Sequence, residues 1–95
     1  MPPIDIYTAP LCPFCAAAKR LLREKGATFT EIDVDDDDAQ RNRMIERSSG
    51  RMTVPQIFIG ATHVGGCDDL YELERAGGLD PLLNGQAAGD GGSAA

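Results

Sequence analysis

The chain has no tryptophan, one histidine and only three cysteines in 95 residues. Three is an odd number and far too few for a secreted scaffold stapled by disulfides, so the cysteines point to a reducing compartment. No apolar run is long enough to span a bilayer. Met1-Pro2-Pro3-Ile4-Asp5 lacks the basic start and apolar centre of a signal peptide, so a cytoplasmic protein with no membrane partner is expected. Positive charge is scarce as well. Nine Lys and Arg stand against fifteen Asp and Glu, a formal charge of −6, which argues against nucleic acid as a partner. Zinc is poorly supplied: a closed site takes four ligands, and Cys12, Cys15, His63 and Cys67 include no second paired motif. The length allows one small domain with a single core.

Against this spare background stands Cys12-Pro13-Phe14-Cys15, between an apolar run, Ile4 to Tyr7, and a helix-forming stretch, Ala16 to Lys25. Two cysteines so spaced at a strand-to-helix junction can close a disulfide across the first helical turn, and the junction sets the leading sulfur beside unpaired N–H groups. A thiolate is favoured there, which makes Cys12 the expected attacker and Cys15, one turn further in, the expected resolver. Pro13 suits the first helical position because the N–H it lacks had no partner there. A structural disulfide is the poorer reading, since so short a loop removes little unfolded-state entropy.

The rest of the chain spells an alternating order. Ile4 to Tyr7 is a first strand, and Phe14, Ala17, Ala18, Leu21 and Leu22 form the apolar stripe of a first helix that Gly26 ends. Thr28 to Val34 alternates in polarity and reads as a second strand with Phe29, Ile32 and Val34 facing inward. Asp33 and Asp35 to Asp38 are read as a solvated loop feeding negative charge into a second helix, Asp37 to Arg47, anchored by Met44 and Ile45. Val54 to Ile59 and His63-Val64 are expected to pair as an antiparallel hairpin across Gly60-Ala61-Thr62, with His63 facing solvent. A third helix is expected from Asp68 to Ala76, with a capping box at Asp69 and Glu72. A short last helix then runs from Asp80-Pro81 through Leu83. The domain spans 1–84, and 85–95, with nothing to bury, is expected to be a disordered tail.

Three motifs in this order, Cys12-Pro13-Phe14-Cys15, Thr53-Val54-Pro55-Gln56-Ile57-Phe58-Ile59 and Gly65-Gly66-Cys67-Asp68-Asp69-Leu70, closely resemble a bacterial dithiol glutaredoxin. The resemblance runs from residue 4 to about residue 83. It implies an α/β, thioredoxin-like fold: a mixed four-stranded sheet flanked by helices, in the order β-α-β-α-β-β-α-α. It also implies a glutathione-dependent thiol–disulfide oxidoreductase that reduces protein–glutathione mixed disulfides and protein disulfides. Glutathione is then the co-substrate, kept reduced by glutathione reductase and NADPH, and the chain a monomer that requires no metal.

The same resemblance assigns a glutathione site to Phe14, Arg51, Thr53, Val54, Pro55, Gly66, Cys67, Asp68 and Asp69. By it the Val54-Pro55 bond is cis, the Val54 backbone pairs with the tripeptide's cysteine, and Cys67 to Asp69 hold the γ-glutamyl end. Phe14 stands where the family often has tyrosine. Ala9 stands where many relatives carry a lysine that contacts the glycyl carboxylate and the thiolate; Arg51 is the best substitute in sequence, ahead of Lys19 and Arg20. Weaker glutathione binding or a less stabilised Cys12 thiolate than in lysine-bearing relatives is expected in consequence, and Ala9→Lys, which should alter one or the other, tests it. Cys67 reads as a small packed residue rather than a redox group, and His63 as no general base. Two rival readings stay open. One is a glutathione-ligated [2Fe–2S] dimer in which each chain gives Cys12, with Pro13 counting against it. The other is a thioredoxin-like reductase fed by a flavoenzyme, for which the chain lacks tryptophan and a Gly-Pro centre.

Overall fold

A computed structural model describes residues 1–85. The tail expected from residue 85 lies, but for Gly85 itself, outside the described residues. The elements are β1 (Ile4–Thr8), α1 (Pro13–Glu24), β2 (Thr30–Asp33), α2 (Asp38–Arg47), β3 (Gln56–Ile59), β4 (Thr62–Gly65), α3 (Cys67–Arg75) and α4 (Leu79–Leu83). This is the order expected, in a four-stranded sheet arranged β2-β1-β3-β4. β1 and β2 are parallel, joined by α1, whereas β1–β3 and β3–β4 are antiparallel. No described helix is long and apolar enough to cross a membrane.

Period-two alternation divides the strands between two cores. Ile4, Ile6, Ile57 and Ile59 face α1, α3 and α4, where Leu21, Leu22, Leu70, Leu79, Leu82 and Leu83 close over them. Tyr7 and Phe58 face the other way and meet Val34 and Met44. Tyr7 and Phe58 pack edge to face with centroids 5.8 Å apart. The second strand therefore does not have one inward face. Phe29 packs against the first core, Ile32 and Val34 belong to the second, and both sides of the sheet are covered.

Several boundaries differ from the sequence-based expectation for local reasons. α1 does start at Pro13, the first helical position expected for it, because proline's fixed φ already fits the first turn. Phe14 leaves the apolar stripe and is 61% exposed, while Cys15 takes the buried place in that turn. β3 begins at Gln56, not Val54, since proline at 55 has no N–H for the ladder. α3 runs from Cys67 to Arg75, not Asp68 to Ala76, and its box is one turn earlier than expected: Asp69 is itself the third helical residue, reaching back to the Gly66 N–H.

Candidate active site

The sheet delivers Cys12 through the loop that follows β1. Leu11 turns the chain at φ 57°, a left-handed conformation that bulky residues rarely adopt, and its side chain is fully exposed. Cys12 follows in extended conformation as the N-cap of α1. Its Sγ accepts the Cys15 N–H at 3.2 Å and its carbonyl accepts the Ala16 N–H at 3.1 Å. One of the helix's unpaired donors is thus aimed at the sulfur, the geometry in which a helix start accommodates negative charge.

Cys15 sits beneath, 2% exposed, and all three cysteines are free. Burial first, then the hydrogen bond and charge of Cys12, push its thiol up to about 12. At rest it is a neutral thiol. Across a cleft, Cys12 Sγ lies 4.0 Å from the carbonyl oxygen of Val54, whose bond to Pro55 is cis.

Beside Cys12 opens a groove with three walls. Phe14 of α1 forms one, Arg51, Thr53, Val54 and Pro55 the second, and Gly66, Cys67, Asp68 and Asp69 at the start of α3 the third. All nine residues expected at a glutathione site therefore line one groove, although they come from three separate stretches of chain. Cys67 is 8% exposed, half in this wall and half in the core. Burial, and then the charge of Asp68, raise its thiol and keep it neutral.

Asp69 ties the third wall to the second. Its Oδ2 accepts the Gly66 N–H at 2.8 Å and an Arg51 N–H at 3.2 Å. The Gly66 bond first, with Arg51 adding to it against some burial, holds its carboxyl below the usual value. A carboxyl lowered on folding adds stability above its unfolded value and loses it as pH falls through the folded one. Melting temperature should therefore drop between about pH 4 and the folded value of this group, and Asp69→Asn should flatten that part of the profile. Superimposable profiles for the two proteins would show that Asp69 contributes nothing there.

Arg51, expected as the substitute for the missing lysine, lines the groove while paired with Asp69. Its guanidinium is held by Asp69 at the head of α3. The cation that shares a groove with Ala9 and Cys12 is Lys19, in a second cleft lined by the active-site loop, Glu31 and Asp33. Lys19 is itself paired with Glu31 at 2.9 Å, and Thr8 Oγ1 donates to the same carboxylate at 2.8 Å. The missing lysine therefore has no unpaired replacement in this second cleft.

His63 differs from expectation too. It is half-buried rather than facing solvent, stacked on Phe58 at 4.7 Å, with Nε2 at 2.7 Å from Gln56 Oε1. Burial lowers its pKa, with Arg51 contributing, so it is neutral at pH 7. Gln56 was legible only as a strand residue, yet it is wholly buried and donates from Nε2 to the Thr53 carbonyl at 3.0 Å. The available signal was one amide inside an otherwise apolar strand, which must find partners when buried. Among the described residues no three of His, Cys, Asp and Glu gather as a metal site.

Comparison with known proteins agrees with this geometry. Residues 4–64 match the family model described as glutaredoxin. Glutaredoxin 3 of Escherichia coli is 59% identical over 80 residues, which cover 84% of this chain and 95% of that one. The solution structure of glutaredoxin from Brucella melitensis superposes with a TM-score of 0.77 at 60% identity, covering 87% of this chain and 89% of its own. A crystal structure of a buckwheat glutaredoxin–glutathione complex does so with a TM-score of 0.79 at 34% identity, covering 87% and 77%. With a thioredoxin-like fold, paired cysteines at the head of α1 and a groove beside them, the chain belongs to the glutaredoxin family of thiol–disulfide oxidoreductases.

Proposed function

We propose that this chain reduces protein–glutathione mixed disulfides through Cys12 alone, and protein disulfides through Cys12 and Cys15 together, with glutathione as the reductant. The observation that carries this reading is the position of Cys12 Sγ, under the Cys15 N–H and 4.0 Å from the carbonyl of Val54, a residue that lines the groove. There an extended tripeptide can pair with the Val54 backbone in strand fashion while its sulfur meets Cys12. The γ-glutamyl carboxylate takes N–H groups at the start of α3. Asp69 is already engaged by Gly66 and Arg51, so Asp68, exposed and without an ion pair among the described residues, receives the ammonium group.

The Cys12 thiolate attacks the glutathionyl sulfur of the mixed disulfide. The bond to the protein sulfur breaks, that sulfur leaves as thiolate and takes a proton, and Cys12 becomes glutathionylated. A second glutathione thiolate attacks the same glutathionyl sulfur, releasing oxidised glutathione and returning Cys12 as thiolate. With a protein disulfide, Cys12 first forms the mixed disulfide with the protein. Cys15 then displaces the protein thiol, and two glutathiones reduce the Cys12–Cys15 bond. The enzyme works as a monomer in a reducing cytosol, with glutathione reductase and NADPH restoring the glutathione pool.

Turnover of a glutathionylated peptide, followed as NADPH oxidation in the presence of glutathione and glutathione reductase, tests the reading. It is expected to depend on added glutathione. Turnover with a thioredoxin-reducing flavoenzyme and no glutathione would overturn it.

A further inference from the structure

The groove's second wall is held from behind by a buried amide. Gln56 opens β3 directly after Pro55, and its side chain is 0% exposed. Its Nε2 donates to the Thr53 carbonyl at 3.0 Å and to Thr53 Oγ1 at 3.3 Å. These two contacts occupy both N–H groups, and Oε1 is left to accept from His63 Nε2 at 2.7 Å. The amide has one orientation that satisfies every partner. Turned over, it would set its oxygen against the Thr53 carbonyl and its N–H groups against the His63 donor.

The Thr53 carbonyl belongs to the same planar peptide as the Val54 N–H. In a trans peptide the two point in opposite directions. The described chain has one cis bond, and it is the next one along, Val54-Pro55. Holding the Thr53 oxygen inward on Gln56 therefore aims the Val54 N–H outward, toward the groove that Thr53 and Val54 line.

We propose that Gln56, oriented by His63, is a positioning residue for the glutathionyl group: it sets the Thr53-Val54 peptide so that the Val54 N–H is presented to the substrate. The inference rests on the reading of this groove as a glutathione site, and it adds a residue that touches neither substrate nor sulfur. His63 keeps its Nε2 proton whether the ring is neutral or protonated, so the device holds across the working pH range. Other charges facing this ring are Arg47, which lies over Phe58, and Arg51 and Asp69 of the groove wall.

The test uses Gln56→Met, which keeps chain length and removes the donor. KM for a glutathionylated peptide is expected to rise about tenfold, the size of one misaligned hydrogen bond, with kcat within about twofold. Alkylation of Cys12 by iodoacetamide, a reagent with no glutathionyl group, should keep its wild-type rate. An unchanged KM, or an alkylation rate that falls with the rise in KM, would overturn the proposal. Should Gln56→Met not fold, His63→Phe decides: it preserves the stack on Phe58, removes the donor, and should raise KM about threefold on the same pattern. If the wild type itself does not turn over the peptide, the glutathione reading fails instead. The residual dipolar coupling of the Val54 N–H then judges the positioning, which predicts a reoriented vector in the variant and is refuted by an unmoved one.

Discussion

Cys12→Ser is expected to abolish both reactions, by on the order of a thousandfold or more, while Cys15→Ser keeps turnover of glutathione mixed disulfides within a few-fold of wild type. The asymmetry follows from the two environments. Cys12 caps α1 with a helix N–H on its sulfur and is only partly buried, and a serine hydroxyl there does not exchange with disulfides. Cys15 is buried, and two of the three influences that raise its thiol come from Cys12, through the hydrogen bond and through charge. Once Cys12 is tied up in a mixed disulfide, both are removed and burial alone remains. Cys15 is thereby inert at rest and becomes an attacker when its neighbour has reacted. Cys15→Ser should accordingly lose reduction of protein disulfides, which the one-cysteine route does not serve. Equal loss of both activities from the two substitutions would contradict this division of roles.

Gly65→Ala is expected to lower stability by about 2–4 kcal/mol and the melting temperature by roughly 10–20 °C. Gly65 has φ 114°, a backbone conformation closed to L side chains, so any Cβ is strained there whatever the space. Space is lacking too. A Cβ at this position would strike the Asp69 carboxylate and come within 2.9 Å of Arg51 Nη1. The residues displaced are those that tie the groove's second and third walls together, so KM for glutathionylated peptide should rise alongside the loss of stability. A melting point within about 3 °C of wild type would show that the wall can move aside without strain. Gly26, by contrast, has open space around its missing Cβ, and alanine there meets only the backbone penalty.

The pattern of apolar residues foretold the eight elements, the parallel first pair and the hairpin, because alternation and three-and-four spacing are local properties of the chain. Where an element opens depended on chemistry a residue or two away. Pro13 opened α1, Pro55 trimmed β3, and Asp69 rather than Glu72 completed the cap of α3. His63 read as a solvent-facing strand residue, a polar side chain in a short strand next to the apolar Val64. Its true neighbours, Phe58 and Gln56, arrive through the hairpin register that sets His63 against Phe58.

By itself the sequence determined the family, the order of elements, and the pair of cysteines at a helix start, since each rests on motifs a few residues long. Only the tertiary structure decided which charges are spoken for. Arg51 is paired with Asp69 and Lys19 with Glu31, and of the two it is Lys19 that shares a cleft with Ala9. It also decided that a buried glutamine stands behind the groove wall. The contacts of Gln56 with Thr53, Lys19 with Glu31 and Arg51 with Asp69 span 3, 12 and 18 positions and that of Arg47 with Asp5 spans 42, and a linear pattern carries no record of distances created when the sheet closes.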